Sequence, residues 1–242
     1  TESPQHGSHQ RRLACPKVSF QVNHHSRLQQ GRQRCTQSLG CAFVGKHKKG
    51  GNIRVMQDRD STIDYRALAA QIRILGGNAG FSAIGIAQAE VGEAGQHLTN
   101  WLAAGRHGEM DYMARHAHLR RKPASLLPGT ISVISAALDY LPPRDPVAGA
   151  EFAAISCYAL GRDYHKVVRQ RLERLARQIA HLIGPFGYRV FSDSAPVMEV
   201  EFARQAGLGW RGKHTLLLSR AGSWRFLGDI YTDLPLAPDR PV

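Results

Sequence analysis

At 242 residues and 43% apolar side chains, the chain can bury a sizeable core in one large domain or two small ones. No apolar run reaches the roughly 18 residues of a membrane helix and no apolar secretory segment opens the chain, so a cytoplasmic protein without membrane partners is expected. The net charge of +13 favours a polyanionic partner such as RNA, while four cysteines without a CxxC pair argue against a disulfide scaffold and against a zinc or iron–sulfur site.

The charge is unevenly spread. Residues 1–60 hold 11 Lys+Arg against 3 Asp+Glu, and residues 61–242 hold 21 against 16. The first stretch has no helical or strand period and reads as disordered. Met56 opens MQDRDSTIDYRALAAQI like an ordinary protein start, so residues 1–60 are expected to be a disordered or non-native extension. The alternative is a basic RNA-binding arm.

From Asp64 the pattern is regular. Asp64 is placed to cap a helix with Leu68, Ile72 and Leu75 on one face, ending at Gly76-Gly77. A strand follows at 81–87, a helix at 93–104 stopped by Gly105, and a short helix over 109–115. The apolar run 131–140 reads as a buried strand closed by Pro142-Pro143, and 153–160 as a second strand or extended entry. A long amphipathic helix spans Asp163 to about Ile183, with Val168, Leu172, Leu175, Ile179 and Leu182 at helical spacing, and Gly184-Pro185 ends it. Residues 188–193 read as a strand and 197–206 as a helix. The segments 215–219 and 224–233 read as a β-hairpin turning at 220–223. Alternating helices and strands make the class α/β or α+β, one domain over 61–242.

Generic catalytic motifs are absent: no phosphate loop, no GxSxG, no HExxH. Gly207–Gly212 spells GxGxxG, but a helix precedes it and a strand follows, the reverse of the dinucleotide-binding context. What remains is polar side chains at element ends. Asp193 closes a strand, where ligands bind in α/β sheets, though the same position suits a cap for the helix after it. Tyr164, His165 and Lys166 follow Asp163 at the start of the long helix, a natural anion site; His165 also suits a packing role, and the helix's arginines a solvated face. The stretch 107–116 is dense in Met, Tyr and charge, which suits either core or the wall around a large flat macrocycle.

Five strings appear in order: HGEMDYMARH (107–116), LLPGTISVI (126–134), YALGRDYHK (158–166), FSDSAPVME (191–199) and AGLGWRGKHTLLL (206–218). Together they resemble the successive motifs of the epoxyqueuosine reductase family. The resemblance implies a cobalamin-binding domain with a nitroreductase-like or reductive-dehalogenase-like core, a mixed sheet flanked by helices. It implies reduction of epoxyqueuosine to queuosine at the wobble position of tRNA, with reduced cobalamin supplying the electron-rich centre. The family's proton donor matches Asp193, which would have to be held uncharged by burial beside the corrin, among Phe191, Pro196 and Val197.

By the same resemblance Arg115, Ser156, Tyr158, Arg162, Tyr164 and His165 contact cobalamin, and Trp210, Lys213 and His214 line the same cavity or the nucleotide entrance. The family continues beyond a segment like DLPLAPDRPV (233–242) into a module with two 4Fe–4S clusters, whose cysteine ligands this chain lacks. A monomer drawing on an external electron donor is therefore expected, inactive on its own. The rival readings are a noncatalytic cobalamin- or RNA-binding fragment, or another corrinoid reductase such as a dehalogenase.

Overall fold

The computed structural model describes residues 63–141 and 155–242. The expectations for residues 1–60, and for Ala153 and Ala154, lie outside the described residues.

Helix α1 (Tyr65–Asn78) starts where Asp64 Oδ1 accepts the amide hydrogens of Arg66 and Ala67 at 2.9 and 3.0 Å, satisfying two of the donors that a helix start leaves open. It runs through Gly76-Gly77 instead of stopping there. A strand, β1 (Ala83–Gln88), follows, then α2 (Glu93–Ala103). The expected helix over 109–115 is shorter, α3 (Asp111–Arg115), and a second short helix, α4 (Ala117–Arg121), which the sequence reading did not anticipate, comes directly after it. Strand β2 (Ser132–Asp139) is followed, after the undescribed segment, by a 3₁₀ turn at Cys157–Ala159 where a strand or extended entry was expected. Helix α5 (Tyr164–Ile183) carries Asp163 as its cap. Strand β3 (Tyr188–Phe191) and helix α6 (Glu199–Gln205) lead to two short strands, β4 (Trp210–Arg211) and β5 (Leu217–Leu218), and to β6 (Arg225–Thr232).

The main sheet has the order β1-β2-β6-β3, and all three ladders are antiparallel. The α+β class holds, but neighbouring strands alternate in direction throughout, where a mixed sheet was expected. The expected hairpin of 215–219 with 224–233 does not form. Leu217–Leu218 pairs with Trp210–Arg211 as a separate ribbon, and β6 lies between β2 and β3. The reason is burial. Residues Gly228 to Thr232 of β6 are all buried, which suits a central strand covered on both faces and not one arm of a surface hairpin.

Side chains alternate across the sheet. On one face Ile86, Ile134, Val190 and Ile230 pack against Ile72 of α1 and Val168, Leu172, Leu175 and Ile179 of α5. Leu182, expected on that stripe, is 55% exposed, and the next residue, Ile183, packs against the cluster in its place. On the other face Ala87, Val133, Ala137, Phe191 and Tyr231 pack against Phe202 and Ala203 of α6. Glycines permit both helices to approach. A Cβ on Gly228 would lie 2.7 Å from Val168 Cγ1 and 2.8 Å from Leu172 Cδ1, and one on Gly85 would lie 2.2 Å from the Ala206 carbonyl oxygen. No helix of the described residues is long and apolar enough to cross a membrane.

Candidate active site around Asp193

Strand β3 ends at Phe191, and the chain then turns sharply. Asp193 takes φ 55°, in the left-handed region that Asp tolerates better than most residues, and the Ser194 amide donates to the Ser192 carbonyl at 2.7 Å. This conformation swings the Asp193 side chain toward the start of α5. There the Tyr164 hydroxyl donates to Asp193 Oδ2, and His165 Nε2 lies 2.8 Å from the same oxygen. The other imidazole nitrogen, Nδ1, is 2.9 Å from Asp163 Oδ1, which also accepts the His165 amide hydrogen at 3.1 Å. Asp163 thus caps the helix and orients the ring at once. His165 is held between two carboxylates.

The electrostatics follow from these contacts. Partial burial works against a charge on His165, but its hydrogen bonds to Asp163 and Asp193 outweigh it and hold its pKa above the ordinary histidine value. Asp163, bonded to that imidazole, is held below the usual carboxylate range. The Tyr164 hydroxyl is pushed up, first by burial and then by its bond to Asp193.

A run of aromatic rings backs the cluster. Tyr164 stacks on His165 (centroids 4.0 Å apart) and on Phe226 (4.1 Å), Phe226 on Tyr140 (4.4 Å), and Tyr140 meets Trp224 edge-on at 5.9 Å. Trp224 at 44% and Tyr158 at 53% exposure leave large aromatic surface open beside it. The enclosure expected for Asp193 is not made by this chain's described residues. Its side chain is 57% exposed, because it stands at the tip of a turn while Phe191 points into the core. Nor does Asp193 cap α6: the cap position is Met198, with no side-chain bond.

The other expected site residues are less closely gathered. Tyr158, on the 3₁₀ turn, lies near enough to Tyr164 to influence its hydroxyl. Ser156 and Arg162 flank that turn and are exposed. Trp210, Lys213 and His214 sit on the exposed β4–β5 ribbon, where His214 Nδ1 accepts the Leu216 amide hydrogen at 3.2 Å. Arg115 ends α3, and among the described residues no hydrogen bond, ion pair or ring contact joins it to Asp193.

Two carboxyls escaped the sequence reading. Glu199, the first residue of α6, accepts the Asp193 amide hydrogen on Oε1 at 2.6 Å. Burial of its carboxyl end pushes its pKa up to about 7. Asp229, central in β6 and 0% exposed, has neither side-chain oxygen hydrogen-bonded among the described residues. Burial raises its pKa well above the usual range and the neighbouring Glu199 adds to this; Ser135 across the ladder tempers it without the geometry of a hydrogen bond. A charged residue inside the run FLGDIYT was the available signal for Asp229; for Glu199 there was only an acidic residue in a helix's first turn, which is common.

Residues 120–194, which end just after Asp193, match the family model "Epoxyqueuosine reductase QueG, DUF1730". The epoxyqueuosine reductase of Alicycliphilus denitrificans is 56% identical over 174 residues, 67% of this chain and 48% of its own length. That of Pseudomonas aeruginosa is 51% identical over 189 residues, 76% of this chain and 52% of its own. The chain belongs to the epoxyqueuosine reductase family. It spans about half the length of these epoxyqueuosine reductases. A solved epoxyqueuosine reductase, with a tRNA-Tyr epoxyqueuosine-modified tRNA stem loop, superimposes with a TM-score of 0.64 at 25% identity, covering 74% of this chain and 48% of that one.

Proposed function

We propose that this chain forms the catalytic half of an enzyme that reduces epoxyqueuosine to queuosine in tRNA, with Asp193 delivering a proton to the departing epoxide oxygen. The observation that carries this is the convergence of Tyr164 and His165 on one oxygen of Asp193 at the edge of an exposed aromatic shelf. Converting the epoxide to an alkene releases its oxygen as water and consumes two electrons and two protons. Cobalamin, when bound, supplies the electron-rich centre for the reduction, fed by an external donor. A corrin is large and flat, and Tyr158 and Trp224 offer exposed aromatic surface that would hold it beside Asp193. Arg162, exposed at the foot of the shelf, suits the cofactor's amide and phosphate groups.

The proton supply differs from a carboxyl kept neutral by burial alone. His165 stores the proton between Asp163 and Asp193, Asp193 relays it to the oxygen, and the Tyr164 hydroxyl fixes the carboxylate's orientation. The basic α5, with Lys166, Arg169 and Arg174, is suited to the phosphates of the tRNA stem. The test supplies cobalamin, a chemical reductant and epoxyqueuosine-modified stem loop to the chain. Conversion to queuosine that falls at least about a hundredfold in Asp193→Asn supports the reading; equal conversion by both proteins refutes it. Binding of the stem loop without any conversion would leave a noncatalytic module.

A further inference from the structure

We infer that Glu199 is a positioning residue: its carboxylate latches the Asp193 turn by accepting the Asp193 amide hydrogen, over a neutral floor provided by the Asp229 carboxyl. The inference rests on the reading of Asp193 as proton donor and adds to it the element that aims this side chain.

Three observations carry it. The first is strain. A non-glycine residue at φ 55° is sparsely populated and persists where its surroundings hold it there. The second is the bond itself. The turn tip is exposed, yet the Asp193 amide points inward to Glu199 Oε1 at 2.6 Å, anchoring the turn from below while Tyr164 and His165 hold the side chain from above. A residue in the first turn of α6 thereby reaches back to an amide six positions earlier, as a capping-box glutamate reaches back to its cap. Both ends of Asp193 are thus held, with its side chain aimed at the N-terminal end of α5.

The third observation is the floor. Asp229 is fully buried on the α6 face of the sheet, with Ser135 opposite it in the ladder and Tyr231 next on the same face. Neither of its oxygens has a hydrogen-bond partner among the described residues. An isolated charge cannot be held there, so Asp229 carries a proton. A second ionised carboxyl beside Glu199 would repel it; a neutral one lets Glu199 remain inside the structure, facing the amide. The raised pKa of Asp229, to which burial and the Glu199 charge both contribute, agrees with its being the neutral member.

Amide hydrogen exchange at Asp193 in the full chain tests the latch without requiring turnover. In Glu199→Ala the Asp193 amide is expected to exchange about tenfold faster, while the Ile230 and Val190 amides of the core sheet keep their protection. Glu199→Gln, which retains an acceptor oxygen at the same reach, is expected to restore protection to within about twofold of the parent. Asp229→Asn, an isosteric stand-in for the protonated acid, is expected to leave Asp193 protected. Should Glu199→Ala fail to fold, Glu199→Asp, which withdraws the oxygen by one methylene, must show the same loss. Unchanged Asp193 exchange in Glu199→Ala, or a Gln variant as unprotected as Ala, overturns the latch. Acceleration in Asp229→Asn equal to that in Glu199→Ala overturns the neutral floor. An Asp193→Asn variant that still converts substrate would defeat the proton-donor reading alone, leaving these exchange results standing.

Discussion

His165 Nε2 and Asp193 Oδ2 lie 2.8 Å apart across the gap between α5 and the turn that follows β3. Residues 28 positions apart in sequence thus meet through one carboxylate oxygen, and the ring's far side is tied to Asp163. The two carboxylates favour the charged form of this half-exposed imidazole.

This pairing has a measurable consequence for His165. Its pKa is raised, so the proton it gains on folding stabilises the native state fully below about pH 6.5, and that contribution is lost as pH rises through the raised value. An NMR titration of the imidazole is expected to place its midpoint above that of a free histidine. In Asp193→Asn one of the two carboxylates is gone and the midpoint should move down; an unmoved midpoint would show that the contact is not made in solution.

Glu199 and Asp229 predict the behaviour of the whole domain with pH. Their pKa values are raised, so between the unfolded carboxylate range and about 7 the folded state binds more protons than the unfolded state. Stability should therefore fall as pH rises across that window. Glu199→Gln removes one of the two titrations and should flatten the slope, making the variant more stable than the parent at pH 8 by about 1–3 kcal/mol in urea unfolding.

Gly85 marks the closest approach of the α6 end to the sheet. An added Cβ would stand 2.2 Å from the Ala206 carbonyl oxygen, a backbone atom that cannot step aside. Gly85→Ala should cost about 3 kcal/mol or more, seen as a lowered thermal midpoint. Gly228→Ala meets side-chain methyls of Val168 and Leu172 and should cost less, about 1–3 kcal/mol.

Asp239 joins the chain's last residues to the sheet. Its Oδ2 accepts the Ile86 amide hydrogen at 2.8 Å, its Oδ1 pairs with Arg73 Nη2 at 2.5 Å, and its own amide donates to the Ile86 carbonyl at 2.8 Å. Asp239→Ala should destabilise by about 1–3 kcal/mol, mainly because the amide of fully buried Ile86 loses its acceptor. Limited proteolysis should then cut within 235–242 sooner than in the parent.

The sequence made the helices and the central strands legible because their signals are local. Asp64 and Asp163 cap as expected, and the stripe from Val168 to Ile179 buries as its spacing requires. Pairing was not legible. Nothing in residues 215–233 says that β6 leaves its neighbour β5 for β2 and β3, since that choice depends on faces of helices distant in sequence. The site divides the same way. Asp193, Tyr164 and His165 stood out by motif, and the structure brings them together. Asp193's exposure and the carboxyls beneath it depend on the left-handed turn and on burial in the sheet, which no spacing rule encodes.

The strap at Asp239 also settles what happens along the rim of β1. Strand β1 is an outer member of the sheet, and the outward-pointing N–H and C=O of Ile86 would otherwise invite a strand from another molecule. One aspartate answers both groups, mimicking a partner strand with a side chain and a single amide. The template for intermolecular sheet growth is thus closed at its middle by a residue too short to propagate it.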